Sequence, residues 1–138
     1  MEEAVIERTN EDILQNFELK THENILNNLA YEIKALGEDS SSIFINTQKY
    51  QKDENGYIFS AELITGAILC STISINQGDF TLIQSNIDLF EPIKEDGEIL
   101  FNAKIETNGT IKKVVSCQGT INGIEFLRGN FIFIKMKS

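Results

Sequence analysis

Few side chains in this sequence are of a type and in a place to do chemistry. Glu62 is the clearest, as the only Asp, Glu, Lys or Arg within residues 55–74, NGYIFSAELITGAILCSTIS. A carboxylate held in apolar surroundings can serve as a general base or a nucleophile. His22 is the single imidazole. It stands beside Thr21, a helix-cap candidate, and reads as a surface residue rather than a base. With no second histidine, no Ser or Cys acquires a neighbouring base of that kind. Cys70 and Cys117 lack the spacing of metal ligands and read as two buried thiols. No phosphate-cradling glycine loop, metal motif or dinucleotide fingerprint is present.

The element that would position Glu62 is the run itself. Apolar residues fall on every face of it, and about 20 residues is far beyond a usual strand of about 5–6. Such a stretch is a buried helix or a membrane span. Glu62, Gly66 and several Ser and Thr residues argue for burial, as do the alternating strands that follow. Asn55 is placed to cap this helix, and Gly56 would let a ligand approach the backbone closely.

Before it, Thr9 or Asn10 could cap a short helix carrying Ile13, Leu14 and Phe17, and Thr21 could cap a second with Ile25, Leu26 and Leu29. The pattern then drifts to a strand over 29–36, a turn at 37–39 and a strand over 42–47. After the long helix come four alternating segments, at 80–90, 99–106, 111–119 and 125–136. Asn108-Gly109 and Asn122-Gly123 are hairpin signals between them. The order predicts one dominant helix held by an antiparallel sheet of about five to six strands, an α+β fold. The strand over 80–90 carries apolar groups on both faces and so calls for cover from a partner, which predicts a homodimer, with higher oligomers open.

Composition sets further limits. Lys and Arg number 12 against 21 Asp and Glu, a net charge of −9. That balance opposes a nucleic-acid-binding surface, which would be basic. The acidic first residues, MEEAVIERTNED, do not resemble a signal peptide, so a cytoplasmic protein is expected.

Three motifs resemble a known superfamily. ENGYIFSAELITGAI resembles the "H-G-G, two or three residues, then S-L-A-D" helix start of phenylacetate-type acyl-CoA thioesterases. NIDLFEPIKEDGEILFNAKI is similar to their "x-F-x-x-P-[VI]-x-x-G-[DE]-x-[LI]" strand through Phe90, Pro92, Ile93, Gly97, Glu98 and Leu100. FLRGNFIFI resembles the closing "a-x-G-x-F-x-F" pattern through Gly129, Phe131 and Phe133. Together they identify a resemblance, over about residues 28–135, to the hot-dog-fold thioesterases, in which a curved antiparallel sheet wraps a long central helix. Residues 1–27 would be an N-terminal helical extension, and 28–138 a single hot-dog domain. A closer likeness is to the ligand-binding domain of the bacterial malonyl-CoA-responsive regulators of fatty-acid synthesis. Their "G-H-H-L-F-A" stands where this chain has Asn55-Gly56-Tyr57-Ile58-Phe59-Ser60. The short acidic stretch ahead of the first strand does not match their DNA-binding half.

The resemblance implies an acyl-CoA or acyl carrier protein thioester as ligand, with no other cofactor. Its acyl chain would lie along the helix and across the dimer interface. Asn55 and Gly56 would meet the thioester end, with Tyr57 among the ligand-binding residues; Phe59, Leu63 and Ile64 would line the acyl tunnel, with Asn86 on the facing interface strand. Lys94, Lys104, Lys112, Lys113 and Arg128 are candidates for the pantetheine phosphates. In the family a helix carboxylate attacks the thioester or activates water, and a glycine N–H at the helix start polarises the carbonyl. Gly56 would be that donor. The carboxylate position aligns with Leu63, and the histidine position with Glu54. Glu62 is one residue away, about 100° round a helix. Binding without hydrolysis is the expected function, with a thioesterase using Glu62 as the alternative.

Overall fold

The turn at Asn122 and Gly123 explains the clearest part of the architecture. Their φ angles of 51° and 79° give the left-handed pair that a two-residue hairpin needs. A computed structural model of the chain describes residues 17–137. Helix α1 spans Glu23–Asn28, strand β1 Glu32–Leu36 and β2 Ser40–Asn46, followed by a single 3₁₀ turn at Thr47–Lys49. Helix α2 spans Ser60–Ile75, and strands β3 Phe80–Leu89, β4 Glu98–Asn108, β5 Lys112–Ile121 and β6 Ile124–Lys135 complete the fold. The six strands form one antiparallel sheet in the order β1-β2-β4-β5-β6-β3.

α2 lies on one face of this sheet, chiefly over β4, then β2 and β5. From Leu69 to Ile75 every residue is buried, as expected for a helix apolar all round. Small residues let it approach closely. Ser41 on β2 donates from its hydroxyl to the Cys70 carbonyl at 2.7 Å, and a Cβ at Gly66 would stand 2.4 Å from the Phe101 ring of β4. The helix ends at Asn76, whose left-handed φ of 54° lets its N–H reach the Thr72 carbonyl at 3.2 Å. The Asn76 side chain also clamps the chain at residues 18–20, donating to the Glu18 carbonyl and accepting from the Lys20 N–H.

Three local expectations are corrected. α2 begins at Ser60 with Phe59 as its cap residue, five positions after Asn55. The reason is Asp53: its carboxylate accepts the N–H groups of Asn55 at 2.9 Å and Tyr57 at 3.0 Å, folding 53–57 into a tight turn. The Asn108-Gly109 pair does not form a two-residue hairpin. Asn108 pairs with Lys113, and the loop runs on through Ile111. The second helix is six residues long and ends before Ala30, which has a φ of 64°. Thr21 does not cap it, because its hydroxyl bonds His22 Nδ1 at 2.6 Å instead. The helix expected around residues 9–16 lies outside the described residues. Leu26, within the expected N-terminal extension, is buried in the core.

β3 forms an edge of the sheet, and only Phe80 on it is buried. The ladder with β6 slips between Leu82 and Gln84, leaving Ile83 as an extra residue. A one-residue bulge exchanges the two faces of everything beyond it.

Candidate ligand-binding site

The expected site residues converge on the start of α2 and then diverge. Gly56, with a φ of 87°, spends its N–H on the Asp53 carbonyl at 3.0 Å. It is therefore not free to polarise a bound carbonyl, and the donor role expected of it is corrected. A helix leaves its first N–H groups without intrahelical partners; here these belong to Ser60 and Ala61, while the Glu62 N–H already reaches the Phe59 carbonyl. Asn55 and Glu54 are exposed in the Asp53 turn. Tyr57 is half-buried, with the Lys94 ammonium 5.2 Å from its ring centre.

Glu62, Leu63 and Ile64 point in three directions. Leu63 is 3% exposed and belongs to the core, so it lines no open channel. Glu62 is half-buried, and its carboxylate accepts the Gln51 N–H at 3.3 Å. Ile64 is half-buried, and Phe59 is 57% exposed at the helix start. Asn86 is displaced from the site altogether. The bulge at Ile83 puts it opposite Asn130 on the outer face of the sheet, away from α2.

The five candidate cations are scattered. Lys94 alone stands near the α2 start, with its side chain against Gly56. Lys104 and Arg128 lie on the outer face of the sheet, and Arg128 is held by both carboxylate oxygens of Glu125 at 2.9–3.1 Å. Lys112 opens β5. Lys113 is buried, hydrogen-bonded to Asn108 and 5.0 Å above the Phe80 ring. Cys70 and Cys117 are free, buried thiols, and hydrogen bonding to Cys70 together with burial raises the Cys117 thiol above its ordinary value.

Sequence reasoning missed two features. The first is a pair of buried phenols beneath Glu62. Tyr31 and Tyr50 share a hydrogen bond at 2.5 Å, and the Tyr31 hydroxyl donates to the Glu62 carbonyl at 3.3 Å. Burial is the main cause that pushes both phenols well above their usual value. The folded state thus favours the protonated hydroxyls. The stability this pair contributes should be intact below about pH 10, where unfolded tyrosines begin to ionise, and should fall as pH rises further. Urea melts from pH 8 to 11.5 should show that decline, at up to about 1.4 kcal/mol per pH unit for each tyrosine. Tyr50→Phe should flatten it, and an unchanged slope in that variant would contradict the assignment.

The second feature is a groove of about 400 Å³ beside α2. Its floor is Thr65, Ile68, Leu69 and Thr72, and its walls are His22 and Ile25 of the α1 region and Phe80–Leu82 of β3. The i, i+3, i+4, i+7 spacing was legible as a helix face, but α1 and β3 come from distant parts of the chain.

Solved structures share this fold. Cj0977, a sigma28-regulated virulence protein from Campylobacter jejuni, superposes with a TM-score of 0.78 at 23% identity, over 88% of this chain and 95% of that one. Uncharacterized protein PH1136 from Pyrococcus horikoshii gives 0.80 at 19% identity, over 88% and 94%. A mutant of the phenylacetic acid degradation protein PaaI from Thermus thermophilus gives 0.75 at 11% identity, over 83% and 100%. The chain has the hot-dog fold. The resemblance drawn from the helix start, the Phe90–Leu100 strand motif and the Gly129–Phe133 motif therefore holds at the level of fold. No protein-family model matches the chain. Among curated proteins, methylthioribose-1-phosphate isomerase from Aquifex aeolicus is 25% identical over 100 residues, which is 71% of this hot-dog chain and 22% of that protein. The chain thus spans about a fifth of the length of the curated relative it matches. No helix among the described residues is long and apolar enough to cross a membrane.

Proposed function

We propose that the protein is a homodimeric hot-dog protein that binds an acyl thioester, presented by coenzyme A or an acyl carrier protein in the cytoplasm, and does not hydrolyse it. The observation that carries the second half is the first turn of α2. The residue aligned with the family carboxylate is Leu63, closed into the core, and the neighbouring Glu62 carboxylate is engaged by the Gln51 N–H. Binding is supported by the N–H groups of Ser60 and Ala61, which meet no partner among the described residues and stand at the positive end of a 16-residue helix, where a polarised carbonyl oxygen would gain hydrogen bonds. Exposed Phe59 stands at this end, and the Lys94 side chain lies against Gly56 of the turn before it.

Dimerisation is supported by β3. An unpaired edge strand with Ile83 54% exposed and Leu89 and Phe90 beyond it invites a second copy. One observation favours the alternative, an acyl-CoA thioesterase: Glu62 lies half-buried in the first turn, close to the same free N–H groups. On that reading Ser60 and Ala61, rather than Gly56, would polarise the carbonyl.

Purified protein mixed with a panel of acyl-CoAs separates the two. The expected result is thermal stabilisation, corresponding to about 2.7 kcal/mol at a hundredfold excess over Kd, with no release of free thiol. Steady thiol release that disappears in Glu62→Gln would establish the hydrolase instead.

A further inference from the structure

Resting on the acyl-thioester reading, we infer that α1 is a flap hinged at His22 and Ala30, which swings away from α2 to admit the ligand and then closes. Both hinge positions are backbone outliers. His22 has a φ of 59° and Ala30 one of 64°, the left-handed region that residues with a Cβ seldom adopt. His22 directly precedes α1, and Ala30 is the second residue after it. The turn at Ala30 ends the helix with two bonds, from the Ala30 N–H to the Asn27 carbonyl and from the Tyr31 N–H to the Leu26 carbonyl, each at 3.1 Å. Glycine is the usual residue for that ending, so the alanine methyl strains the closed arrangement. Strain of this kind persists only where the surroundings enforce it.

Little else holds α1 down. Of residues 23–30 only Leu26 is buried, and the other seven are exposed. No side chain caps the first turn. Outside the hinges, by contrast, the chain is pinned. Asn76 holds the backbone at Glu18 and Lys20, and Tyr31 is buried with its hydroxyl bonded to Tyr50. A short segment fixed at both ends, strained at both hinges and seated on one leucine opens locally, without the rest of the fold.

The groove beside α2 makes that opening consequential. Its floor is closed into the core from Leu69 on, and its β3 wall is laddered to β6. The remaining wall is His22 and Ile25. The groove threonines do not tie that wall down, since Thr65 donates to the Ala61 carbonyl at 2.9 Å and Thr72 to the Ile68 carbonyl at 2.8 Å, within their own helix. His22 Nδ1 is spent on Thr21. The α1 wall is therefore the one that moves, and ligand enters at a rate set by how often it stands open.

Hydrogen exchange reads the flap without ligand. The amides of Leu26, Leu29, Ala30 and Tyr31, all bonded within α1 or its ending, should exchange roughly a hundredfold faster than those of Leu69–Ile75, at rates that about 1 M urea leaves unchanged. Ala30→Gly relieves the hinge and should slow them about fivefold, whereas Ala30→Val should speed them about tenfold. Stopped-flow mixing with octanoyl-CoA reads the gate. Ala30→Gly favours the closed flap with and without ligand, so association and dissociation should slow by the same factor and Kd should not change; Ala30→Val should quicken both. Exchange at α1 that follows α2, urea dependence included, would mean that α1 opens only when the whole protein unfolds, and would overturn the flap. Exchange that shifts in the variants while both binding rates stay constant would leave a moving helix that gates nothing, and would overturn the inference with acyl binding intact. If octanoyl-CoA and its shorter and longer homologues do not bind at all, the acyl-thioester reading falls and the gate falls with it.

Discussion

Gly66→Ala is expected to destabilise the protein by about 2 kcal/mol, even though alanine is the better helix former. Relief of glycine's backbone freedom in a helix gains about 1 kcal/mol. Against that, the new methyl would sit 2.4 and 2.5 Å from Phe101 ring carbons and 2.8 Å from the Tyr31 hydroxyl. Phe101 is fully buried and packed edge-on against Tyr31 and Phe126, with ring centres 6.3 and 6.1 Å away. None of the three rings has an empty side to turn into, so overpacking near the upper end of its range, about 3 kcal/mol, is the appropriate cost. Urea denaturation measures the balance. Phe101→Leu in the same chain should recover part of the loss by vacating the space, and a Gly66→Ala protein as stable as the parent would mean that α2 is free to lift from β4.

If the protein forms the proposed β3-edge dimer, Ile83→Lys is expected to weaken association by at least a hundredfold while leaving the protomer folded. Ile83 is the extra residue of the β3 bulge and is 54% exposed in the protomer, so its replacement removes little from the core. A twofold dimer counts the change twice. Losing two buried isoleucine contacts at about 1.5–3 kcal/mol each comes to about 3–6 kcal/mol, before any repulsion between the two ammonium groups. At about 1.4 kcal/mol per tenfold, this exceeds a hundredfold in Kd. Sedimentation at micromolar concentration with circular dichroism as the fold control reads both effects. A variant that stays dimeric would remove β3 from the interface.

Much of the fold was legible because β4, β5 and β6 alternate cleanly about their buried faces, and because Asn122-Gly123 makes the hairpin its residues demand. The helix start was misplaced because Asn55 looks like a cap in isolation, while the carboxylate of Asp53 had already committed those residues to a turn. Asn86, which the resemblance put on the facing strand, lies on the outer face because the bulge at Ile83 exchanges the faces beyond it, and no local residue announces that bulge. At the site, the absence of chemistry at Leu63 could be read directly. The Tyr31–Tyr50 pair and the groove could not, since each is assembled from segments that meet only through tertiary packing.

The place of β3 in the sheet also governs how the chain is made. Its partner is the last strand, β6: Phe80 faces Lys135 across the ladder, and among the described residues no other strand borders β3. On the ribosome, α2, ending at Ile75, and β3, ending at Leu89, both emerge well before β6 is complete at Lys135, a lag of roughly 2–12 s at about 5–20 residues per second. Until β4 emerges, the apolar helix has only β1 and β2 for cover, and β3 stays without its ladder partner until β6 is made. A chain stopped ahead of β6 would leave β3 without its ladder partner and is expected to aggregate rather than fold as a smaller domain.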